Sequence, residues 1–404
     1  MPQNPIQFQH GMSLSELIAQ YGSEAQCELA LERARWPHGF VCPECGTREH
    51  SHFLADGRQY WQCAKCRAQC TVCSGTLFHA TKLPLTKWFQ AIYLVTQNKN
   101  NLSALSLKRH LGVAYSTAWR VKHKLLEAMR QRESRRLLGG VVFADDAVLG
   151  GVQAGKPGRG SENKAPFMAA VELDDEGFPQ HARFDPIDDY TGATFAAWAR
   201  SALHPSAHLV TDGCASFNAA GAEVAAHGAI IVGERKSSEI EPFRWVNTFI
   251  ANVKTAIAGT YHHFDFDKYR HRYLAEAQYR VNRRFDLASL VGRLAHTCVR
   301  TGPCPERWLR LAEVEVTSAI ELITLHNGRK RTCRAGPAPV RCQRNAERDR
   351  PRLNKRSSAR DKRCILLEGG SLSRPPVEAI YHGLWRRDAR SPSGADGCPL
   401  LPRS

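Results

Sequence analysis

The sequence predicts a multidomain chain: a zinc ribbon, a helical helix-turn-helix module, an α/β domain and a low-order basic tail, in that order. Three observations predict it. Four cysteines stand in two Cys-x2-Cys pairs between Cys42 and Cys66, and apolar residues then recur at helical spacing over residues 82–130. From Gly139 onward, short glycine-bounded strands mix with helical stretches, the pattern of an α/β domain. The expected segments are 13–75 for an amino-terminal helix and the ribbon, 82–132 for the helix-turn-helix, 138–320 for the α/β domain and 324–404 for the tail.

Composition narrows the class. A chain of 404 residues has room for two or three cores, and 43% of it is hydrophobic. No apolar run approaches the roughly 20 residues of a membrane helix, and the amino terminus lacks the charged-then-apolar order of a signal peptide. The expectation is a soluble, cytoplasmic protein with no membrane partner. The net charge of +17 is unevenly placed: residues 326–404 carry 19 Lys and Arg against 7 Asp and Glu. Most of the basicity therefore lies in the tail, so net charge alone is weak support for a nucleic-acid partner. After about Ile323 periodicity is lost, and the Arg-, Pro- and Ser-rich composition has the character of out-of-frame translation.

At the front, residues 14–36 have helical spacing, with Leu14, Ile18, Leu29 and Leu31 as apolar candidates and Ser13 and Glu16 as a capping box. The cysteines follow. Seventeen residues separate Cys45 from Cys63, within the spacing of four-cysteine zinc sites. Two residues between cysteines let both thiolates of a knuckle reach one tetrahedral ion, and a closed shell of Cys42, Cys45, Cys63 and Cys66 makes the zinc structural. Free or redox-active pairs are the alternative. Cys70 and Cys73 form a further Cys-x2-Cys pair and read as surplus thiols.

Helices are expected over Pro84–Val95, Leu102–Leu111 and Ser116–Met129, with Gly112 supplying the turn between the last two. That is the layout of a helix-turn-helix, whose second helix enters the major groove of double-stranded DNA. Ser116, Thr117, Arg120, Lys122 and Lys124 are the candidate DNA contacts, although any two amphipathic helices joined by a glycine turn share this layout.

In the α/β part, strands are expected at GGVVFADDAVLGG, PFMAAVELDD, FPQHARFDPI, AHLVTDG and AIIVG, a helix over Thr191–Leu203, and mostly helix from Trp245 to Leu311. Asp145 and Asp212 fall at strand ends, where neighbouring carboxylates can share a pair of magnesium or manganese ions about 4 Å apart. A strand-end carboxylate is also a common turn former or helix cap, and spacing alone leaves that open. The basic and aromatic run Lys268, Tyr269, Arg270, Arg272, Tyr273, Tyr279, Arg280, Asn282, Arg283 and Arg284 reads equally as a face tracking a DNA backbone and as a solvated helix face.

The segment GTLFHATKLPLTKWFQAIYLVTQNKNNLSALSLKRHLGVAYSTAW, with the cysteines before it, resembles the front of bacterial insertion-sequence transposases that carry an amino-terminal zinc ribbon. FADDAVLGG, GRGSENKAP, LVTDG, WVNTFIANVKTAIAGTYHH and YLAEAQYRVNRRFD continue the match, over roughly residues 13–320. Together they resemble insertion-sequence family fifteen-ninety-five, with its RNase H-like DDE-type catalytic domain. The resemblance implies catalytic aspartates at Asp145, with Asp146 as its acidic neighbour, and at Asp212. It puts the third metal-ligand position on Asn247 and a catalytic lysine on Lys254, with Glu239 and Glu241 as rival third ligands. Some branches of the family carry asparagine there, so Asn247 need not mean a dead enzyme. Phe143, Ala147 and Val148 depart from the family pattern around the first aspartate.

What the resemblance implies is a DNA transposase. It would bind the element's terminal inverted repeats, cleave strands and transfer them to target DNA with magnesium or manganese, and work as a homodimer or larger assembly on the bacterial nucleoid. The alternatives are a degenerate, inactive transposase and a DNA-binding regulator without catalysis.

Overall fold

The computed structural model describes residues 8–98, 100–150, 164–231, 243–261 and 264–312, which all belong to one compact unit. The rival ligands Glu239 and Glu241, most of GRGSENKAP and the tail over 324–404 lie outside the described residues.

The front of the chain forms two helices where one was expected, α1 (Leu14–Tyr21) and α2 (Glu24–Arg35). Each opens on its own capping box. Ser13 pairs with Glu16 as expected, and Ser23 pairs with Gln26 to start a second helix just after Gly22. The break turns the apolar stripe: Leu17, Cys27 and Leu31 are buried, whereas Leu14, Ile18 and Leu29 are exposed.

Next come β1 (His50–Ala55), β2 (Arg58–Cys63) and the short β3 (Gln69–Cys70), an antiparallel sheet in the order β1-β2-β3. Ala55 faces Arg58 across a two-residue turn in which Asp56 and Gly57 both have positive φ, 52° and 70°, the mirror-image turn whose twist suits a hairpin.

Three helices follow: α3 (Leu85–Gln97), α4 (Ala104–Leu111) and α5 (Tyr115–Glu133). Ser103 caps α4, and Gly112 ends it at φ 64° and ψ 39°, left-handed geometry that glycine adopts without Cβ strain. α5 runs for 19 residues, further than expected, and nearly everything after Arg120 is buried.

The mixed α/β sheet has five strands in the order β6-β5-β4-β7-β8. They are β4 (Val141–Leu149), β5 (Ala165–Leu173), β6 (Pro179–Pro186), β7 (His208–Thr211) and β8 (Ala226–Ala229), with α6 (Gly192–Ala202) leading into β7 and α7 (Phe217–Gly221) into β8. The first three strands pair antiparallel, while β7 lies parallel to both β4 and β8. β8 begins before the expected AIIVG. Its register on β7 pairs Leu209 with His227, and the His227 ring meets the Thr211 hydroxyl at 2.9 Å, leaving Ile231 exposed beyond the strand.

One sheet face packs Val142, Ala144, Met168, Ala170 and Leu209 against Phe195, Trp198 and Phe217 of α6 and α7. The other packs Ala147, Phe167, Ala169 and Val171 with the helices that follow: α8 (Arg244–Thr260), α9 (Phe266–Val281), α10 (Leu290–Arg300) and α11 (Glu306–Leu311). The same core takes in α2, α3, α4 and the inner side of α5, so these helices and the sheet share one interior.

Charged residues stitch that interior. Lys122, on α5, is fully buried; its ammonium donates to the Leu102 carbonyl and the Tyr261 hydroxyl and lies 3.9 Å from Glu276 of α9. Burial pushes the Lys122 pKa down to about 8, with Glu276 opposing. Glu127 pairs with Arg130 at 2.6 Å and Arg272 at 3.1 Å, and Glu133 pairs with Arg283 at 2.6 Å and accepts from Asn282 at 2.7 Å. Removing one partner of a buried pair strands the other charge. Lys122→Met is therefore expected to lower stability by about 3–5 kcal/mol, with part of the loss recovered in Lys122→Met/Glu276→Gln, read from urea unfolding midpoints.

Candidate functional site

The ribbon builds its site from two matching knuckles. Gly46 N–H donates to the Cys42 carbonyl and Arg67 N–H to the Cys63 carbonyl, and both residues take positive φ, 74° and 61°. Glycine does this freely, whereas Arg67 is a non-glycine residue in left-handed geometry, a sign of how firmly the knuckle turn is imposed. Cys42 and Cys66 sulfurs lie 3.5 Å apart, as do Cys45 and Cys63. All four sulfurs are within 4.8 Å of one another. A tetrahedral zinc with bonds of about 2.3 Å needs sulfur separations of about 3.8 Å, so the cluster fits a structural zinc. Thr47, bonded to the Cys45 sulfur, pulls that thiol down to about 6, toward the thiolate a metal requires. Among the described residues this is the one group of three or more His, Cys, Asp or Glu with that geometry, and Cys70 and Cys73 stand outside it.

In the sheet, the parallel register pairs Val141 with His208, Val142 with Leu209 and Phe143 with Val210. The ladder stops there: Asp145 stands two residues further along, in the middle of β4, and Asp212 is the first residue past the end of β7, so the same register continued would bring the two opposite each other. Alternation puts Asp145 on the face of Phe143 and Ala147, which α8 covers. Each carboxylate also has a local bond: Asp145 Oδ1 accepts from the Asp146 N–H at 2.8 Å, and Asp212 Oδ1 accepts from Cys214 at 3.0 Å. Gly213, at φ 84°, turns the chain sharply just past Asp212.

α8 supplies Asn247 and Lys254. Its buried stripe is Val246, Phe249, Ile250, Val253 and Ile257, and the 3.6-residue period sets Asn247 and Lys254 together on one flank, two turns apart. Desolvation lowers the Lys254 pKa. Of the charges acting on it Asp145 is the strongest and raises it, Lys164 opposes and Asp146 assists, so the ammonium lies within the field of the first aspartate. The Asn247 Nδ2 is buried with no hydrogen-bond partner. A half-turn of the amide places Oδ1, the atom able to ligate a metal, in that position. Phe143 meets Phe243 edge to face at 5.8 Å and 88°. Phe243 is the N-cap of α8, one turn before Asn247, so this aromatic contact braces the helix start over β4 close to the aspartates.

The candidate DNA contacts divide. Tyr115 and Ser116 are exposed at the start of α5, with Thr117 and Arg120 half-buried beside them. Lys122 is withdrawn from DNA by its burial against Tyr261 and Glu276. The Lys124 ammonium donates to the Leu77 carbonyl at 2.9 Å. Arg283 is buried over the Tyr279 ring at 3.6 Å and paired with Glu133. Arg284 is buried too, its guanidinium donating to the carbonyls of Pro179, Gln180 and Val281. The basic run on α9 is thus mostly a set of internal struts: Arg270 reaches Asp188 at 2.8 Å, Arg272 reaches Glu127, and Arg280 donates to Asn101 at 3.1 Å. Exposed Tyr115 joins Ser116 as a candidate, since the helix begins one residue earlier than expected.

Fold and site together define a zinc-ribbon protein with a mixed α/β domain. Residues 22–69 match the transposase zinc-ribbon domain and residues 137–282 match the ISXO2-like transposase domain. Both matching models describe domains of insertion-sequence family fifteen-ninety-five. It is 30% identical over 145 residues to an "uncharacterized protein in transposable element ISH50" of Halobacterium salinarum, a match covering 35% of this chain and 46% of that one. The chain thus aligns with about half the length of that curated relative. A solved structure, "Crystal structure of the Mos1 mariner paired end complex with Mn", aligns over 51% of this chain and 78% of its own at 14% identity and a TM-score of 0.17, a value that leaves the fold to be argued from the sheet itself.

No helix among the described residues is long and apolar enough to cross a membrane. The purified chain is expected to hold one zinc. Cys63→Ser should bring the content well below one per chain, while Cys70→Ser and Cys73→Ser leave it unchanged, as read by metal analysis.

Proposed function

We propose that the protein is an insertion-sequence transposase that recognises terminal inverted repeats and carries out metal-dependent DNA cleavage and strand transfer on an RNase H-like sheet. The observation that carries this reading is the parallel β4–β7 register, which runs toward Asp145 and Asp212, together with the packing on β4 of the helix bearing Asn247 and Lys254 and the Asp145 charge acting on Lys254. Magnesium or manganese held by Asp145, Asp212 and Asn247 would activate the attacking oxygen and stabilise the leaving one. The chain's own part is to hold those three ligands and to place the Lys254 ammonium against a DNA phosphate. Hydrolysis at the element end breaks a phosphorus–oxygen bond and frees a 3′-OH. That hydroxyl then attacks a target phosphodiester, and each step displaces one alkoxide in line.

Recognition falls to the exposed start of α5, with Ser116, Thr117 and Arg120 as contacts to bases and phosphates of double-stranded DNA. The ribbon holds the front of the chain on the element end. Two ends must be held together for transfer, so a dimer or larger assembly on DNA is part of the proposal, as is work in the bacterial cytoplasm on nucleoid DNA.

Asp145→Ala and Asp212→Ala should each lower magnesium-dependent cleavage of end-containing duplex by at least about 100-fold, with folding retained by circular dichroism. Activity equal to the parent chain in both variants would remove the assigned site and leave a DNA-binding regulator or an inactive relative as the better reading. Asn247→Glu adds the negative charge that an amide lacks, so half-maximal cleavage should shift to lower magnesium concentration.

A further inference from the structure

The last described helix, α11, lies against the recognition helix and outside the residues matched by either domain. Its Leu309 is buried, and Arg272 of α9 donates to the Leu309 carbonyl at 2.7 Å, which anchors it. Arg307, Trp308, Arg310 and Leu311 face solvent, with Trp308 at 41% exposure. Two contacts tie α11 to the exposed part of α5. Glu306 lies 3.5 Å from Arg120, and the Arg310 guanidinium sits 4.8 Å above the Trp119 ring.

Arg120 is four residues after Ser116, one turn along the same face of α5. The Glu306 carboxylate also meets Arg310, at 2.7 Å, so a single acid gathers two guanidinium groups beside the recognition turn. With Arg307 adjacent, Arg120, Arg307 and Arg310 exceed Glu306 by two positive charges. All four side chains are at least one-third exposed or fully at the surface, so the pairs are weak and open to competition. A phosphate is the chemistry that suits such a cluster: it accepts forked guanidinium donors and outcompetes one shared, solvent-screened carboxylate.

We propose that α11 is a second DNA-contact element, in which Arg307 and Arg310 grip the phosphodiester backbone next to the segment that α5 reads, and Glu306 holds the guanidinium groups in place until phosphate replaces it. This rests on the DNA-binding reading above and adds to it a patch that contributes affinity without base preference. The half-exposed Trp308 side chain offers an indole N–H as a further donor toward the same backbone.

The test is the salt dependence of binding by the full chain to two duplexes, one carrying the element end and one with that sequence scrambled, followed by fluorescence anisotropy. Each phosphate contact contributes about 0.9 to the slope of log K against log salt. Arg307→Gln should flatten the slope by about one and weaken binding about eight-fold near 0.1 M salt, equally on both duplexes. Arg307→Gln/Arg310→Gln should flatten it by about two. Glu306→Gln should act oppositely, with tighter binding and a steeper slope. Arg307 is exposed, with its guanidinium 5.9 Å from the ring of its neighbour Trp308, so its replacement is expected to leave the fold in place. Unchanged slope and affinity in Arg307→Gln and in the double variant would overturn the proposal, as would a loss confined to the element-end duplex. If the parent chain bound neither duplex, the DNA-binding reading would fall and this one with it.

Discussion

Three charged side chains carried into the interior by α5 hold this molecule in its arrangement. Lys122, Glu127 and Glu133 are each buried and each find their partners around α9, through Glu276, Arg272 and the Asn282–Arg283 pair. Unpaired, any one of them would cost several kcal/mol in a low-dielectric interior. Hydrophobic packing alone tolerates small slips between helices, whereas a set of directional charge pairs does not. The relative placement of α5 and α9 is therefore fixed by chemistry as well as by volume. Because Tyr261 at the end of α8 joins the Lys122 pair, that placement extends to the helix bearing Asn247 and Lys254.

The same pairs explain what was legible in the sequence and what was not. The ribbon could be read because zinc demands a local spacing, and Cys42, Cys45, Cys63 and Cys66 state it within 25 residues. Gly112 and the Gly139–Gly140 pair marked real boundaries, where Gly112 and Gly140 take positive φ of 64° and 58° that glycine adopts through its own backbone. Lys122 could not be read, since its burial depends on a hydroxyl 139 positions away. Arg283 and Arg284 were misjudged for the same reason. A basic helix face looks identical whether its partners are phosphates or the carboxylate and carbonyls of its own chain.

Strand pairing accounts for other departures. Nothing in AIIVG signals that the strand starts three residues earlier, because that start is set by register on β7 and by the His227–Thr211 contact. At the front, two serines three residues ahead of Glu16 and Gln26 each start a helix. Only the first was read as a boundary, which reversed the assignment of Leu14, Ile18 and Leu29. The aspartates were nominated by their positions, while any relation between them rests on the parallel β4–β7 pairing, which joins segments 67 residues apart.

The burial of α5 also bears on how such a protein can diversify. After Val121 almost every side chain of that helix is part of the interior, so a change there disturbs packing or strands a charge. At its start the exposed or half-buried positions Tyr115, Ser116, Thr117 and Arg120 span scarcely more than one turn, and Arg132 is exposed again near its end. With recognition by that turn as proposed, a lineage of elements whose end sequences drift would have to accommodate the drift through these few residues, while the rest of the helix stays constrained as interior.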